Sequence, residues 1–321
     1  MTRSRVAAWV LLTAWVLTPV VHAEDEHAER IKRQDLVESF LTGNDDSRAY
    51  AEAEIRKRKT GCVELLRRVR PSVSAQQQER IDRLLRRITT DWQRARTPKG
   101  MVYVPAGALE VPRVKAPWGP SGTRVQVAAF YIDKTEVSVA DWRAYLAWRT
   151  SQGEEPSALH QLWRPPADVP DTQPCANVRW VDAKHFAEAF RKGVLPTAEQ
   201  FERALRGSGV APWPWGAAPP KDRANLRDTG PGAPWAVGSV PAGASAFGVL
   251  DLVGNLAEWS ATEVAQGRVG RYPLVLGGSF RDRPSTALTW RGKDRMRARV
   301  GPRERREWIG FRVAQPAPKL P

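Results

Sequence analysis

Histidine and cysteine are scarce in this chain, and their scarcity removes most of the usual catalytic equipment. Among 321 residues there are four histidines. His22 lies in an apolar N-terminal segment, while His27, His160 and His185 are scattered, with no pair at i, i+4 spacing. A zinc centre built on three histidines would need nearly all of them in one place. Two cysteines, Cys62 and Cys175, are too few for a zinc ribbon or an iron–sulfur cluster. No GxxxxGK(S/T) phosphate loop, GxGxxG turn or GxSxG elbow occurs. Beyond the N-terminal segment, no apolar run is long enough to span a membrane.

Apolar residues make up 42% of the chain, enough for one large or two modest cores, and 50 Lys+Arg against 35 Asp+Glu leave a net charge of +15. Residues 1–23 read as a secretory signal: Arg3 and Arg5, an apolar run from Val6 to Val21, then Val21-His22-Ala23 ahead of Glu24. A membrane anchor is the alternative, for which the run is short. Cleavage after Ala23 would place the mature chain in the periplasm or outside the cell. In that oxidising setting Cys62 and Cys175 could pair or stay apart, since nothing in their spacing sets a disulfide geometry.

Residues 24–98 repeat apolar residues at helical spacing through Ile31, Val37, Phe40, then Ile55, Val63, Leu66, then Ile81, Leu84, Ile88 and Trp92. Gly43-Asn44 and Pro71-Ser72 divide the segment into three helices. The stretch from Asp45 to Ile88 resembles a single HEAT-like helix pair, and one such unit cannot bury a solenoid core by itself. Its 17 basic and 14 acidic residues describe a solvated mixed face, so no nucleic-acid partner is expected. Thr97-Pro98-Lys99-Gly100 marks a boundary, and a second domain is expected over 99–316 with a tail at 317–321. Helices are expected there after the capping boxes Ser138–Asp141 and Thr197–Gln200, and from Asp182. Short strands are expected at Met101–Val104, Phe130–Ile132 and Leu274–Leu276.

Nine segments of this second domain, in order, resemble the sulfatase-modifying-factor family, whose founding members are formylglycine-generating enzymes. They are MVYVPAG (101–107), FYIDKTEVSVADW (130–142), PCANVRWVDAKHFAEAF (174–190), VLPTAEQFERALRG (194–207), PWPWG (212–216), ANL (224–226), FGVLDLVGNLAEWS (247–260), LVLGGSF (274–280) and IGFRVA (309–314). The resemblance implies an α+β, C-type-lectin-like fold, poor in regular secondary structure and preceded here by a short all-α segment. Family enzymes oxidise a sulfatase cysteine to formylglycine with a copper ion held by two cysteines that follow the GGS motif. Here the first of those positions is Asp282 and the second falls near Ala287, and no cysteine follows Cys175. A carboxylate is a hard ligand and a poor match for copper(I), so copper is not expected. Ala257 also replaces a tryptophan common in active members, and Ala187 and Val313 stand where some relatives have disulfide cysteines.

The resemblance further implies structural calcium. In one site Asp251 and Glu258 give side-chain oxygens while Gly254 and Leu256 give carbonyls, a set suited to Ca²⁺. The alternative is a plain turn with Glu258 salt-bridged to an arginine. A second site would use Asn225 and the carbonyl of Leu226, with Asp228 as the available carboxylate. The stretch 281–312, a wall of the substrate cleft in relatives, holds 11 Lys/Arg and four acids, a balance of +7. Ser279, Arg281, Asp282, Arg283, Trp290, Arg295, Arg297 and Arg299 are therefore candidates for an anionic ligand, such as a sulfated glycan or an acidic protein. Several of these arginines could instead stack on Trp290 and Trp308 or pair with buried acids. Of the tryptophans, Trp118, Trp163 and Trp235 lie in Pro/Gly-rich loops that could offer aromatic platforms. Taken together, an exported, calcium-stabilised binding or scaffold protein is expected. A divergent oxidoreductase and a subunit of an envelope complex are the alternatives.

Overall fold

The computed structural model describes residues 7–58, 60–110, 124–154, 161–207, 211–265, 270–284 and 300–320. The first residues of the signal, Trp118, Ala287, Trp290, Arg295, Arg297 and Arg299 lie outside that set. The chain divides into two compact units, Met1–Ala95 with Lys319–Pro321, and Arg96–Pro318.

The first unit is helical: α1 (Ala7–Thr42), α2 (Asp45–Arg58), α3 (Thr60–Val69) and α4 (Ala75–Arg94). Helix α1 runs unbroken past Ala23, the expected cleavage point. Helical periodicity puts Phe40, Ile55, Val63, Leu66, Ile81 and Leu84 into one buried cluster, joined by Cys62. Ile31 was expected on that face but is 43% exposed. The turn after α1 brings Gly43 so close to the preceding turn that a Cβ there would lie 2.5 Å from the Ser39 carbonyl, an approach glycine permits. Asn44 then caps α2 by accepting from the Ser47 amide at 2.9 Å. Pro71 sits in a 3₁₀ turn, and Ser74 with Gln77 forms a capping box that starts α4.

The second unit is α+β. Strands β1 (Met101–Val104), β4 (Phe130–Asp133) and β8 (Ala314–Pro316) form an antiparallel sheet, with Val104 opposite Phe130 and Ile132 opposite Ala314. β2 (Gly107–Glu110) and β3 (Arg124–Val127) form an antiparallel pair. β6 (Arg271–Leu276), β5 (Ala257–Ala265) and β7 (Ile309–Gly310) form the third sheet, in which β7 runs parallel to β5. Two apolar clusters fill the unit, one around Trp142, Phe186, Trp259 and Phe311, the other around Phe130, Phe201, Leu226 and Leu274. Helices α5 (Val139–Ser151) and α7 (Ala198–Arg206) begin at the two expected capping boxes, and Gly207 ends α7 at a φ of +63°. Helix α6 (Trp180–His185) continues into a π-helical turn over Phe186–Phe190. Arg179, not Asp182, holds the position before α6. Asp182 is buried inside the first turn, where Arg179 donates to it through Nε and Nη2 at 2.6 and 2.7 Å.

Cys62 and Cys175 are both buried and free. Ala187 and Val313, at the family's disulfide positions, are fully buried in the first apolar cluster, so packing fills the place a crosslink would take.

Candidate functional site

The loop Leu250–Glu258 enters β5 through three residues in the left-handed region: Asp251 at φ +56°, Gly254 at +79° and Asn255 at +57°. That backbone is tolerated by glycine, asparagine and aspartate better than by other residues. Gly254 is also hemmed in, since a Cβ there would lie 2.3 Å from the Asn225 carbonyl. Asn255 is the hub. Its Oδ1 accepts from the Trp235 amide at 2.8 Å and from Asn225 Nδ2 at 3.1 Å. Its Nδ2 donates to Glu136 Oε1 at 3.0 Å, and the Leu256 amide donates to that same oxygen at 3.3 Å. Glu136, in the stretch before α5, was not singled out from the sequence, although it lies inside the FYIDKTEVSVADW segment.

Glu258 meets Arg312. The parallel pairing of Glu258 with Gly310 brings the start of β5 beside the segment that follows β7. Arg312 Nε donates to Glu258 Oε2 at 2.7 Å and Nη2 donates to Oε1 at 2.6 Å. Both residues are buried. Burial pushes the Glu258 carboxyl upward against the pull of Arg312. On Arg312 burial acts downward, but the Glu258 charge and hydrogen bonds outweigh it and raise the guanidinium. Burial likewise raises Asp251, whose Oδ2 accepts from the Gly238 amide at 2.6 Å. It raises Glu136 well above the carboxylate range, reinforced by the neighbouring charges of Asp251 and Glu258.

The donor set bears directly on calcium. Both oxygens of Glu258 face a guanidinium, and one oxygen of Asp251 holds a backbone amide. As arranged here, these residues do not fit a Ca²⁺ ion ligated by Glu258. At the second position, Asn225 Oδ1 is buried without a hydrogen-bond partner. The Leu226 carbonyl accepts from the Thr229 and Gly230 amides at 3.0 and 2.9 Å. Asp228 is exposed, and Asn225 itself has its Nδ2 on the Ala233 carbonyl at 2.8 Å. That set brings one unengaged neutral oxygen.

The segment after β6 closes into a turn. Asp282 Oδ2 accepts from the Ser279 amide at 2.8 Å and from Ser279 Oγ at 2.9 Å, and the Asp282 amide donates to the Ser279 carbonyl at 2.9 Å. Ser279 is fully buried and Asp282 is 9% exposed. The carboxylate at the first copper-cysteine position is thus turned into its own backbone, and with no cysteine after Cys175 to supply a thiolate pair there the site does not fit copper. Of the other candidates in this stretch, Arg281 and Arg283 are exposed, and Arg281 pairs with Glu307. Arg306 pairs with Glu304, and Arg305 donates to the Gln161 carbonyl. Arg312, counted with the cationic stretch in the sequence, is instead a buried partner of Glu258 and unavailable to any ligand. Trp163 and Trp235 are both partly buried, and the Trp163 carbonyl accepts from Trp142 Nε1 at 2.9 Å.

The chain is 29% identical over 166 residues to a hercynine oxygenase of Mycolicibacterium smegmatis, a match covering 43% of this chain and 38% of that protein. It is 32% identical over 145 residues to a formylglycine-generating enzyme of Mycobacterium tuberculosis, covering 40% of this chain and 45% of that one. The matches therefore span less than half the length of these curated relatives. Among solved structures, that of PvdO from Pseudomonas aeruginosa superposes with a TM-score of 0.53 at 22% identity, covering 67% of this chain and 94% of that one. This likeness shows the fold: α+β, of the C-type-lectin-like, formylglycine-generating-enzyme type. The family described as sulfatase-modifying factor enzyme 1-like domain matches residues 89–317. The match contains the loop with Asp251 and Glu258, the Ser279–Asp282 turn and the IGFR segment ending in Arg312, and the chain belongs to that family.

Proposed function

We propose that this protein is an exported binding member of its family, acting on an anionic ligand or partner and not as a copper formylglycine-generating oxidase. The observation that carries this reading is the closed Ser279–Asp282 turn, which puts an internally bonded carboxylate where a copper thiolate would stand. Export is supported by the Arg3/Arg5 start, the apolar run and the small residues at Val21 and Ala23. No helix among the described residues is long and apolar enough to cross a membrane.

The anionic preference rests on residues 285–299. Arg281, Arg306 and Arg312 are paired with acids. Arg291, Lys293, Arg295, Arg297 and Arg299 share the sequence stretch 285–299 with a single acid, Asp294. Mutual repulsion among five cations favours an anion beside them. Replacing Arg295, Arg297 and Arg299 with serine is expected to weaken binding to a sulfated polymer and to flatten its salt dependence, read by titration at several ionic strengths. Equal affinity and slope in the wild type and the variant would assign these arginines to structure.

A second reading, a divergent oxidoreductase acting on a protein cysteine or another oxidative substrate, is favoured by the similarity to a hercynine oxygenase and to a formylglycine-generating enzyme. Mass spectrometry of a sulfatase-motif cysteine peptide incubated with the mature protein, copper and oxygen tests the protein-cysteine form of this second reading. The expected result is an unchanged peptide. An aldehyde product would overturn the binding reading and require a copper site made without the missing thiolates.

A further inference from the structure

The loop that family resemblance assigns to a calcium ion contains a cation of another kind. Besides its two bonds to Glu258, Arg312 Nη2 donates to the carbonyls of Leu250 at 3.0 Å and Asp251 at 3.2 Å, and Nη1 donates to the carbonyl of Asp133 at 3.1 Å. One guanidinium therefore gathers five oxygens from three places in the chain: the end of β4, the 250–251 corner and β5. We propose that Arg312 is a built-in cation for the 250–258 loop, taking up the Glu258 carboxylate that a divalent ion would need and tying the Leu250 and Asp251 carbonyls to it, so that this chain holds the loop without Ca²⁺.

The chemistry of the two cations explains why they exclude one another here. Ca²⁺ gathers six to eight oxygens at flexible angles, and carboxylates are its strongest protein ligands. Arg presents a planar fork of donors that takes a carboxylate through two parallel bonds and still has N–H groups left for carbonyls. To bind at Asp251 and Glu258, the metal ion would have to take Glu258 away from Arg312. That would strand a fully buried guanidinium without its counter-ion, an arrangement strongly disfavoured in a protein interior. The guanidinium cannot swing aside into water, because the chain on both sides of it is fixed. Gly310 packs so closely that a Cβ would lie 2.7 Å from Leu256 Cδ1 and 2.8 Å from the Cys175 carbonyl. On the other side, the Val313 amide donates to Asp133 Oδ2 at 3.0 Å.

The test compares thermal unfolding of the mature protein in EDTA and in millimolar CaCl₂, with calorimetric titration of CaCl₂ into the EDTA-stripped protein. The wild-type midpoint is expected to be the same in both conditions, with no saturable binding heat. An ion at 100 times its dissociation constant would raise the midpoint of a unit this size by about 5–10 °C. A rise of that kind in the wild type, or a saturable heat, overturns the proposal. In Arg312→Met the carboxylates of Glu136, Asp251 and Glu258 lose their organic cation, and a calcium-dependent rise is expected to appear. A folded Arg312→Met protein that remains indifferent to calcium also overturns it, because the loop would then need neither cation. If that variant does not fold, the wild-type comparison and titration decide by themselves.

Discussion

Replacing Glu258 with alanine is expected to lower the unfolding free energy by about 3–5 kcal/mol, the usual cost of leaving one half of a buried ion pair alone. Glu258 is 1% exposed and Arg312 is fully buried, so the guanidinium is left in the interior without its counter-ion. Simple packing loss would also destabilise, and a double-mutant cycle separates the two causes. Arg312→Met alone removes the charge and also orphans the carbonyls of Leu250, Asp251 and Asp133. Glu258→Ala with Arg312→Met removes both charges at once. A coupling of about 1–3 kcal/mol between the two substitutions is expected from denaturant unfolding. Strict additivity would mean that the pair contributes only its volume.

This pair also shows where the sequence could be read and where it could not. The boxes Ser138–Asp141 and Thr197–Gln200 close over three residues, so their chemistry is visible in the local text, and both start helices as expected. The Ser74–Gln77 box is equally local and went unread because Pro71-Ser72 drew the boundary instead. Ser279 and Asp282 lie three residues apart as well, a spacing that suits a self-bonded turn. By contrast, Glu258 and Arg312 are 54 residues apart, and Asn255 and Glu136 are 119 apart. Charge counting included Arg312 in the +7 of the 281–312 stretch, because a count has no access to the parallel pairing that carries it into the core. The fold was legible through ordered family segments. The occupant of the 250–258 loop was not, because the same Asp and Glu serve a metal or an arginine equally well on paper.

Asp133 is expected to make the second unit more stable as the solution is acidified from pH 7 toward pH 4. Its carboxylate accepts from Arg191 Nη2 at 2.7 Å and from the Val313 amide at 3.0 Å, contacts that favour the charged form. Burial outweighs them and lifts the group from 3.8 to about 6. Arg312 also lowers it, and Asp141 pushes it further up. The sign follows from proton linkage: between the two values the folded chain binds the proton more tightly than the unfolded chain does. The contribution is fully present below about pH 4 and is lost as the pH rises through about 6, amounting to about 3 kcal/mol across that window. Asp133→Asn keeps an oxygen for the Val313 amide and cannot titrate. Its unfolding free energy, measured in urea at successive pH values, should therefore fall less steeply than that of the wild type between pH 4 and 6. Glu136, Asp251 and Glu258 are also raised by burial, so the variant is expected to retain part of the slope. An unchanged slope in Asp133→Asn would show that Arg191 overcomes burial and keeps Asp133 charged throughout.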